Sequence, residues 1–162
     1  MIFLTIGSHE PFDRLVRAVD DWAGQSGAEV FGQITDRAAY LPQNFPATGH
    51  LEVPEYEARC AQADFLVAHA GMGSILTALR LGKPIVVLPR RGHLQETRND
   101  HQYATAARLG ARPGITVALS EEDLPAALDK VARHTADLAA EPISKTADAS
   151  LIKALRAMID GA

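Results

Sequence analysis

Ala63-Asp-Phe-Leu-Val-Ala-His69 runs directly into Ala70-Gly-Met-Gly-Ser74, and from there into Ile75-Leu-Thr-Ala-Leu-Arg-Leu81. An apolar, β-prone run ends in a glycine turn, and the turn opens onto a helix-forming run. Strand, turn and helix in this order begin a βαβ unit, because a parallel partner strand is reached only through a crossover. The crossover closes at Gly82-Lys-Pro84, and Ile85-Val-Val-Leu88 follows at once. Both strands are continuously apolar rather than alternating, which is the pattern of strands covered on both faces. The spacing predicts a strand over Asp64–His69, a turn at Gly71–Gly73, a helix over Ser74–Leu81 and a strand over Ile85–Leu88.

The same alternation extends outward. Ile2–Ile6 is a short apolar run stopped by Gly7 and reads as a buried strand. Pro11 suits the first position of a helix, where its missing N–H removes no hydrogen bond. Phe12, Leu15, Val16, Val19 and Trp22 recur at helical spacing until Gly24 and Gly27, and Ala28–Ile34 follows as a second strand. Residues 36–54 are punctuated by Pro42, Pro46 and Pro54, with a short strand expected at Gly49–Val53 and a helix at Glu55–Gln62. Pro89–Asp100 is a polar, arginine-rich loop, and Asn99 or Asp100 is placed to cap a helix ending near Leu109. Ile115–Leu119 reads as a strand. Ser120 and Asp123 come close to a capping box ahead of a helix with Leu124, Leu128, Val131 and Ala132 on its apolar face. Leu151, Ile152, Leu155, Met158 and Ile159 form the stripe of a last helix over residues 148–160. This succession predicts an α/β fold with a mainly parallel sheet flanked by helices.

A length of 162 residues fits one domain, 1–162, able to bury about 70% of its unfolded surface. Hydrophobic residues at 47% and charged residues at 22% exclude wholesale disorder. Lys and Arg number 16 against 20 Asp and Glu, a net charge of −4, so no basic surplus supports a general nucleic-acid binder. The single cysteine, Cys60, rules out an intrachain disulfide or a cysteine-based zinc cluster and points to reducing surroundings. Its place on a helix suits a small core residue better than a nucleophile. The apolar N-terminus lacks a basic flank and stops at Gly7, too short for a signal peptide. No run approaches the roughly 20 apolar residues that span a bilayer. The expectation is a cytoplasmic chain, with any membrane association made through a partner.

Ligands of open parallel sheets bind beyond the carboxyl ends of the strands. Three loops fall there. In His69–Ser74, Gly71 and Gly73 permit close backbone approach, and the N–H groups of Gly73, Ser74 and Ile75 open a helix, where an anion is stabilised; the same residues also suit a plain tight turn. Gly7-Ser8-His9-Glu10 is a second phosphate cradle or a polar strand-end turn, with His9 a base, a phosphate donor or simply solvated. In the third loop Glu96, Asp100 and Gln102 suit sugar hydroxyls, or act as caps and dipole partners. Arg90 and Arg91 suit a diphosphate or a carboxylate. No Walker loop, third dinucleotide glycine, nucleophile elbow or His-x-x-x-His metal spacing is present.

Phe3-Leu-Thr-Ile-Gly-Ser-His-Glu-Pro-Phe-Asp-Arg14, Val30-Phe-Gly-Gln33, Ala63–Ser74, Gly82-Lys-Pro-Ile-Val-Val-Leu-Pro-Arg90 and Asn99-Asp-His-Gln102, taken in order, resemble the C-terminal domain of family 28 glycosyltransferases. The likeness is closer to the stand-alone, Alg13-like form of that domain found in bacterial exopolysaccharide synthesis, and covers roughly residues 1–135. It implies a Rossmann-like fold equivalent to the donor half of a GT-B enzyme. It also implies a UDP-sugar donor, a lipid-linked (polyprenyl-diphosphate) acceptor, and an Alg14-like membrane-anchored subunit that binds the acceptor and holds this chain at the inner face of the membrane.

By position, the resemblance assigns Gly7, Ser8, Gly71, Met72, Gly73 and Ser74 to the donor diphosphate. It assigns Glu96 to the ribose hydroxyls, and Asp100, His101 and Gln102 to the sugar. Arg90 receives no family role and remains a donor-binding candidate through its charge. Metal independence is expected, since no DxD-like acidic pair stands at a strand end and N–H groups can stabilise the departing diphosphate. His9 or Glu10 is the candidate general base, unless the partner supplies it. The 148–160 helix packs on its own sheet or docks on the partner. Two function classes stay open: the donor-binding catalytic subunit of a two-component transferase, and a non-catalytic regulatory or interaction subunit that kept the fold.

Overall fold

The computed structural model describes residues 1–139, 142–144 and 153. Six parallel strands form one sheet: β1 (Ile2–Thr5), β2 (Val30–Gln33), β3 (Ala47–Thr48), β4 (Leu66–His69), β5 (Ile85–Leu88) and β6 (Ile115–Val117), in the spatial order β3-β2-β1-β4-β5-β6. The helices are α1 (Asp13–Ser26), α2 (Val53–Gln62), α3 (Met72–Arg80), α4 (His101–Leu109), α5 (Leu124–Arg133) and α6 (Thr135–Leu138), with a single 3-10 turn at Gly92–Leu94. The strand order runs outward one way from β1 to β3, then crosses back through α2 to β4. The switch point therefore lies between β1 and β4, where doubly wound sheets open a crevice for ligands.

Alternate residues of β1, β2, β4 and β5 feed two separate cores. Leu4, Val67, Val86 and Leu88 pack with Leu15, Val16 and Val19 of α1 and with Leu124, Leu128 and Val131 of α5. Phe3, Leu66, Ala68, Ile85 and Val87 pack on the other face with Cys60 of α2, Ile75 and Leu79 of α3 and Ala106 of α4. Phe3 and Leu15 are wholly buried, and each such side chain stabilises the fold by about 1.5–3 kcal/mol. Burial on both faces is why these strands lack polar alternation. Burial also pushes the Cys60 thiol up to about 11, which leaves it an unreactive core residue.

Several boundaries differ from expectation, each for a local reason. α1 starts after Pro11: Phe12 is its N-cap with φ −142°, so the proline precedes the helix. It runs through Gly24 to Ser26 and stops at Gly27, whose φ of 69° lets its N–H bond Ala23 O at 2.9 Å. Gly24 is a packing residue, since a Cβ there would lie 2.8 Å from the Asn44 amide. That amide and its loop are fixed by Asp20, whose buried carboxylate accepts from Tyr40 Oη at 2.6 Å, Asn44 N at 2.7 Å and Gln43 N at 2.9 Å. These hydrogen bonds outweigh burial and hold Asp20 below the usual carboxylate range. The short edge strand lies at Ala47–Thr48, not Gly49–Val53. α3 begins at Met72 with Gly71 as N-cap, earlier than the predicted Ser74.

Ser120 and Asp123 do form the reciprocal pair: Ser120 N–H donates to Asp123 Oδ2 at 3.2 Å, and Asp123 N–H donates to Ser120 Oγ at 3.4 Å. The apolar stripe from Leu151 to Ile159 lies outside the described residues, apart from Lys153 within it. No helix among the described residues is long and apolar enough to cross a membrane.

Candidate functional site

Two cavities open at the carboxyl edge of the sheet beside the switch point. The larger, about 820 Å³, is bounded by the β1–α1 loop, by His69 at the end of β4 and by the β5–α4 loop from Arg90 to Gln102. The second, about 450 Å³, lies between Thr5, Gln33, Leu51, Tyr56 and the first turns of α3. Gly7, Ser8 and His69 line both. Gly7 has φ +86°, and a Cβ there would stand 3.3 Å from His69 Cε1, so glycine lets this loop lie over the imidazole. Gly71 meets the same ring, and a Cβ on it would collide with His69 Nε2.

Thr5, Gln33 and His69 are the last residues of β1, β2 and β4. Each ends an apolar strand with a polar side chain, and all three line the second cavity. Thr5 is 1% exposed and Gln33 4%. Thr5 Oγ1, Gln33 Oε1 and His69 Nδ1 are buried with no close hydrogen bond of good geometry among the described residues, although Thr5 lies beside both the Tyr56 hydroxyl and the His69 ring. Burial, aided by the positive charge of Arg90, pushes His69 down to about 4, which keeps the imidazole neutral. Burial lifts Tyr56, beside Thr5 and Ser74 in the same cavity, to about 12, so it stays a neutral hydroxyl. α3 starts at this cavity, and at a helix start the N–H groups of Met72, Gly73 and Ser74 have no intrahelical acceptor.

Around the larger cavity the charged side chains are mostly committed to one another. Arg14 grips Glu96 with both arms of its fork, Nε to Oε1 at 2.8 Å and Nη2 to Oε2 at 2.9 Å, and reaches Glu121 Oε2 through Nη1 at 2.7 Å. Glu96 Oε2 also accepts from Arg91 N–H at 2.8 Å. These acidic partners hold the Arg14 guanidinium above its ordinary value against the opposing effect of burial. Glu10 pairs with Arg37 at 3.2 Å. Ser8 Oγ and His9 Nδ1 lie 2.9 Å apart on the exposed rim.

Of the residues singled out from the sequence, Gly7, Ser8, His9, Glu10, Arg90, Glu96, His101 and Gln102 line the larger cavity, and Gly73 and Ser74 the second. Four are placed differently from expectation: Gly71, which borders neither cavity and packs against the His69 ring, and Arg90, Met72 and Asp100. Arg90 is 4% exposed and directs all four Nη–H donors at backbone carbonyls, of Pro11, Glu96, Ile6 and Glu10. A fork so committed does not grip a diphosphate or a carboxylate. Met72 borders neither cavity and is 48% exposed. Asp100 neither lines a cavity nor caps α4 with its side chain; its Oδ1 accepts from Gly92 N–H at 2.8 Å and shapes the loop instead. Asn99 Oδ1 takes the capping bond from His101 N–H at 3.2 Å. Glu96 reaches the cavity with its carboxylate already paired.

Thr5, Gln33 and His69 went unmarked in the sequence. Their signal was a polar residue closing an apolar run, repeated at the ends of neighbouring strands. Among the described residues no group of three His, Cys, Asp or Glu side chains is arranged to hold a metal ion.

A family model described as the glycosyltransferase family 28 C-terminal domain matches residues 1–155. No curated protein matches the chain. Among solved structures, MurG of Acinetobacter baumannii superposes with a TM-score of 0.62 at 17% identity, over 86% of this chain and 46% of that one. A doubly substituted Os79 from O. sativa, solved in complex with UDP, gives 0.59 at 16% identity, over 80% of this chain and 31% of that one. A solution structure of ALG13 gives 0.58 at 18% identity, over 95% of this chain and 94% of that one. The chain thus spans less than half the length of the MurG and Os79 chains.

Proposed function

Because the chain belongs to the glycosyltransferase family 28 C-terminal domain family, we propose that it is the donor-binding half of a GT-B glycosyltransferase, with a UDP-sugar seated across its two adjoining cavities. The observation that carries this reading is the convergence of the Gly7 loop and the opening turn of α3 on two adjoining cavities at the carboxyl edge of the sheet. A nucleotide-sugar offers donors and acceptors on its base, ribose and sugar to their polar walls, and an anion for the N–H groups around it. The likeness to Os79, whose structure contains UDP, supports the choice of nucleotide.

In this reading the diphosphate lies over Gly7 and Ser8 and against the first turn of α3, where Gly73 and Ser74 direct N–H groups at it. His69, neutral and wedged between the two cavities, hydrogen-bonds the donor without adding charge. The Nε2 of Gln102 and the ring of His101 face the sugar hydroxyls. An acceptor hydroxyl attacks the anomeric carbon, the bond to the diphosphate oxygen breaks, and the electron pair leaves with UDP. Fixed N–H dipoles stabilise that leaving charge. The hydroxyl proton goes to a base on the rim. His9 is the better placed of the two candidates, because Glu10 is paired with Arg37.

The acceptor side belongs to a second chain in this proposal. Support comes from the match to ALG13 over nearly its whole length, against less than half of MurG. We assign that side to an Alg14-like membrane-anchored subunit presenting a lipid-linked acceptor, with exopolysaccharide synthesis as the setting. The test is a thermal melt of the chain with UDP, followed by turnover of UDP-sugars with and without the partner. Ligand at 100 times its Kd stabilises by about 2.7 kcal/mol, a rise of roughly 5–11 °C for a protein of this size. An unchanged melting temperature at millimolar UDP refutes the donor site. Turnover by the purified chain alone refutes the two-chain division.

A further inference from the structure

Arg90 is a buried cation with no direct ion pair among the described residues, though Glu96 and Glu10 lie near enough to favour its charge. Its fork donates to Pro11 O at 2.6 Å, Glu10 O at 2.7 Å, Ile6 O at 3.0 Å and Glu96 O at 3.2 Å. Its backbone N–H donates to Gln102 Oε1 at 3.1 Å. Its guanidinium carbon stands 4.6 Å from the centroid of the Phe12 ring. Burying a charge is costly unless it is compensated, and here the compensation is a ring of carbonyl dipoles, an aromatic face and the nearby charges of Glu96 and Glu10. Those carbonyls come from two segments far apart in sequence: the stretch that follows β1, and the loop that follows β5. The two segments form facing walls of the larger cavity. Lysine has no planar fork and cannot reach four acceptors in this arrangement.

We propose that Arg90 is a positioning residue whose guanidinium sets the separation of the Ile6–Pro11 and Pro89–Gln102 segments, so that donor affinity depends on a side chain that does not grip the donor. The inference rests on the donor-site reading above and adds a specific dependence to it. Through Gln102 the same residue orients an amide facing the sugar. Its charge also faces His69 and, together with burial, keeps that imidazole neutral. The other titratable groups around His69 are His9, Glu10, Glu96, Arg98 and His101 lining the larger cavity, and His50 and Tyr56 lining the second.

The test uses the full chain with Arg90→Lys and Arg90→Gln. Ligand-free amide exchange is read over both segments and over α5 as a control, UDP and UDP-glucose affinities are read by calorimetry, and His69 is titrated by NMR. Expected for Arg90→Lys are exchange at least tenfold faster in both segments but not in α5, a Kd at least tenfold higher, and a His69 midpoint still low. Arg90→Gln, which removes the charge, should also raise the His69 midpoint. Unchanged exchange in the two segments, or loosened segments with unchanged affinity, overturns the proposal. If neither variant folds, Phe12→Leu removes the face beneath the fork and should loosen the same two segments, and unaltered exchange there is equally fatal. Should wild-type chain bind no UDP, the donor reading fails while ligand-free exchange still decides the role of Arg90.

Discussion

Glu96→Gln is the most informative single change to the charged wall of the cavity. The substitution keeps side-chain shape and removes one charge from a contact in which Arg14 and Glu96 meet through two bonds of 2.8 and 2.9 Å. Both side chains are only 13% exposed, so the pair is shielded from the screening that makes surface ion pairs nearly worthless. Breaking a fully buried pair costs about 3–5 kcal/mol, because the surviving charge is stranded. Arg14 is not wholly stranded here, since Glu121 still holds it at 2.7 Å. The amide must also turn its N–H groups toward Arg14, which donates to both carboxylate oxygens of Glu96. A loss of about 2–3 kcal/mol follows, which lowers the melting temperature by roughly 4–12 °C. The assay is a double-mutant cycle with Arg14→Met in urea unfolding, where the coupling should reach about 2 kcal/mol. A loss under about 0.5 kcal/mol with no coupling would show that the pair behaves as an ordinary surface bridge and would refute the reasoning.

Three further outcomes are expected. His69 is depressed from 6.5 to about 4, so the unfolded chain takes up its proton first as pH falls. The stability tied to the neutral ring is therefore complete above about 6.5 and lost progressively toward 4, on the order of 3 kcal/mol in all. His69→Asn should remove that pH dependence, and a wild-type-minus-variant difference that stays flat from pH 4 to 7 would contradict it. Gly71→Ala should displace the His69 ring and weaken UDP binding at least tenfold, whereas Gly73→Ala, with nothing within 4 Å of its added Cβ, should leave stability equal or raised by about 0.5–1 kcal/mol; calorimetry and melting curves read both. Asp20→Ala orphans the Tyr40 hydroxyl and two backbone N–H groups and should cost about 3 kcal/mol in urea unfolding.

The sheet was legible because its strands obey a simple rule: apolar runs covered on both faces and stopped by turn residues. Ile85–Leu88 is found as expected for that reason. Helix ends were less legible where tertiary contacts decide them. Gly24 reads as a stop, yet it lies inside α1 because the Asn44 amide fills the space a side chain would take. Gly7 and Gly71 stand out in the sequence as positions of close approach, and in the fold both lie against the His69 ring. Arg90 was not legible as a strut. A charge in a polar loop looks ready for an anion, and only the fold reveals four carbonyls converging on it. Met72 and Asp100 show that neighbouring positions in sequence need not line one cavity, since neither borders the two at the carboxyl edge. The polar ends of β1, β2 and β4 carried a signal all along, but its weight comes from seeing that these three strands are adjacent.

The central claim is that the carboxyl edge beside β1 and β4 is a UDP-sugar site, and an amide NMR titration of the chain with UDP tests it most directly. A UDP-sugar site there gives saturable one-to-one shifts concentrated at Gly7, Ser8, His69, Gly73 and Ser74, with α5 silent. No shifts at millimolar UDP, or shifts confined to surfaces away from both cavities, would contradict it.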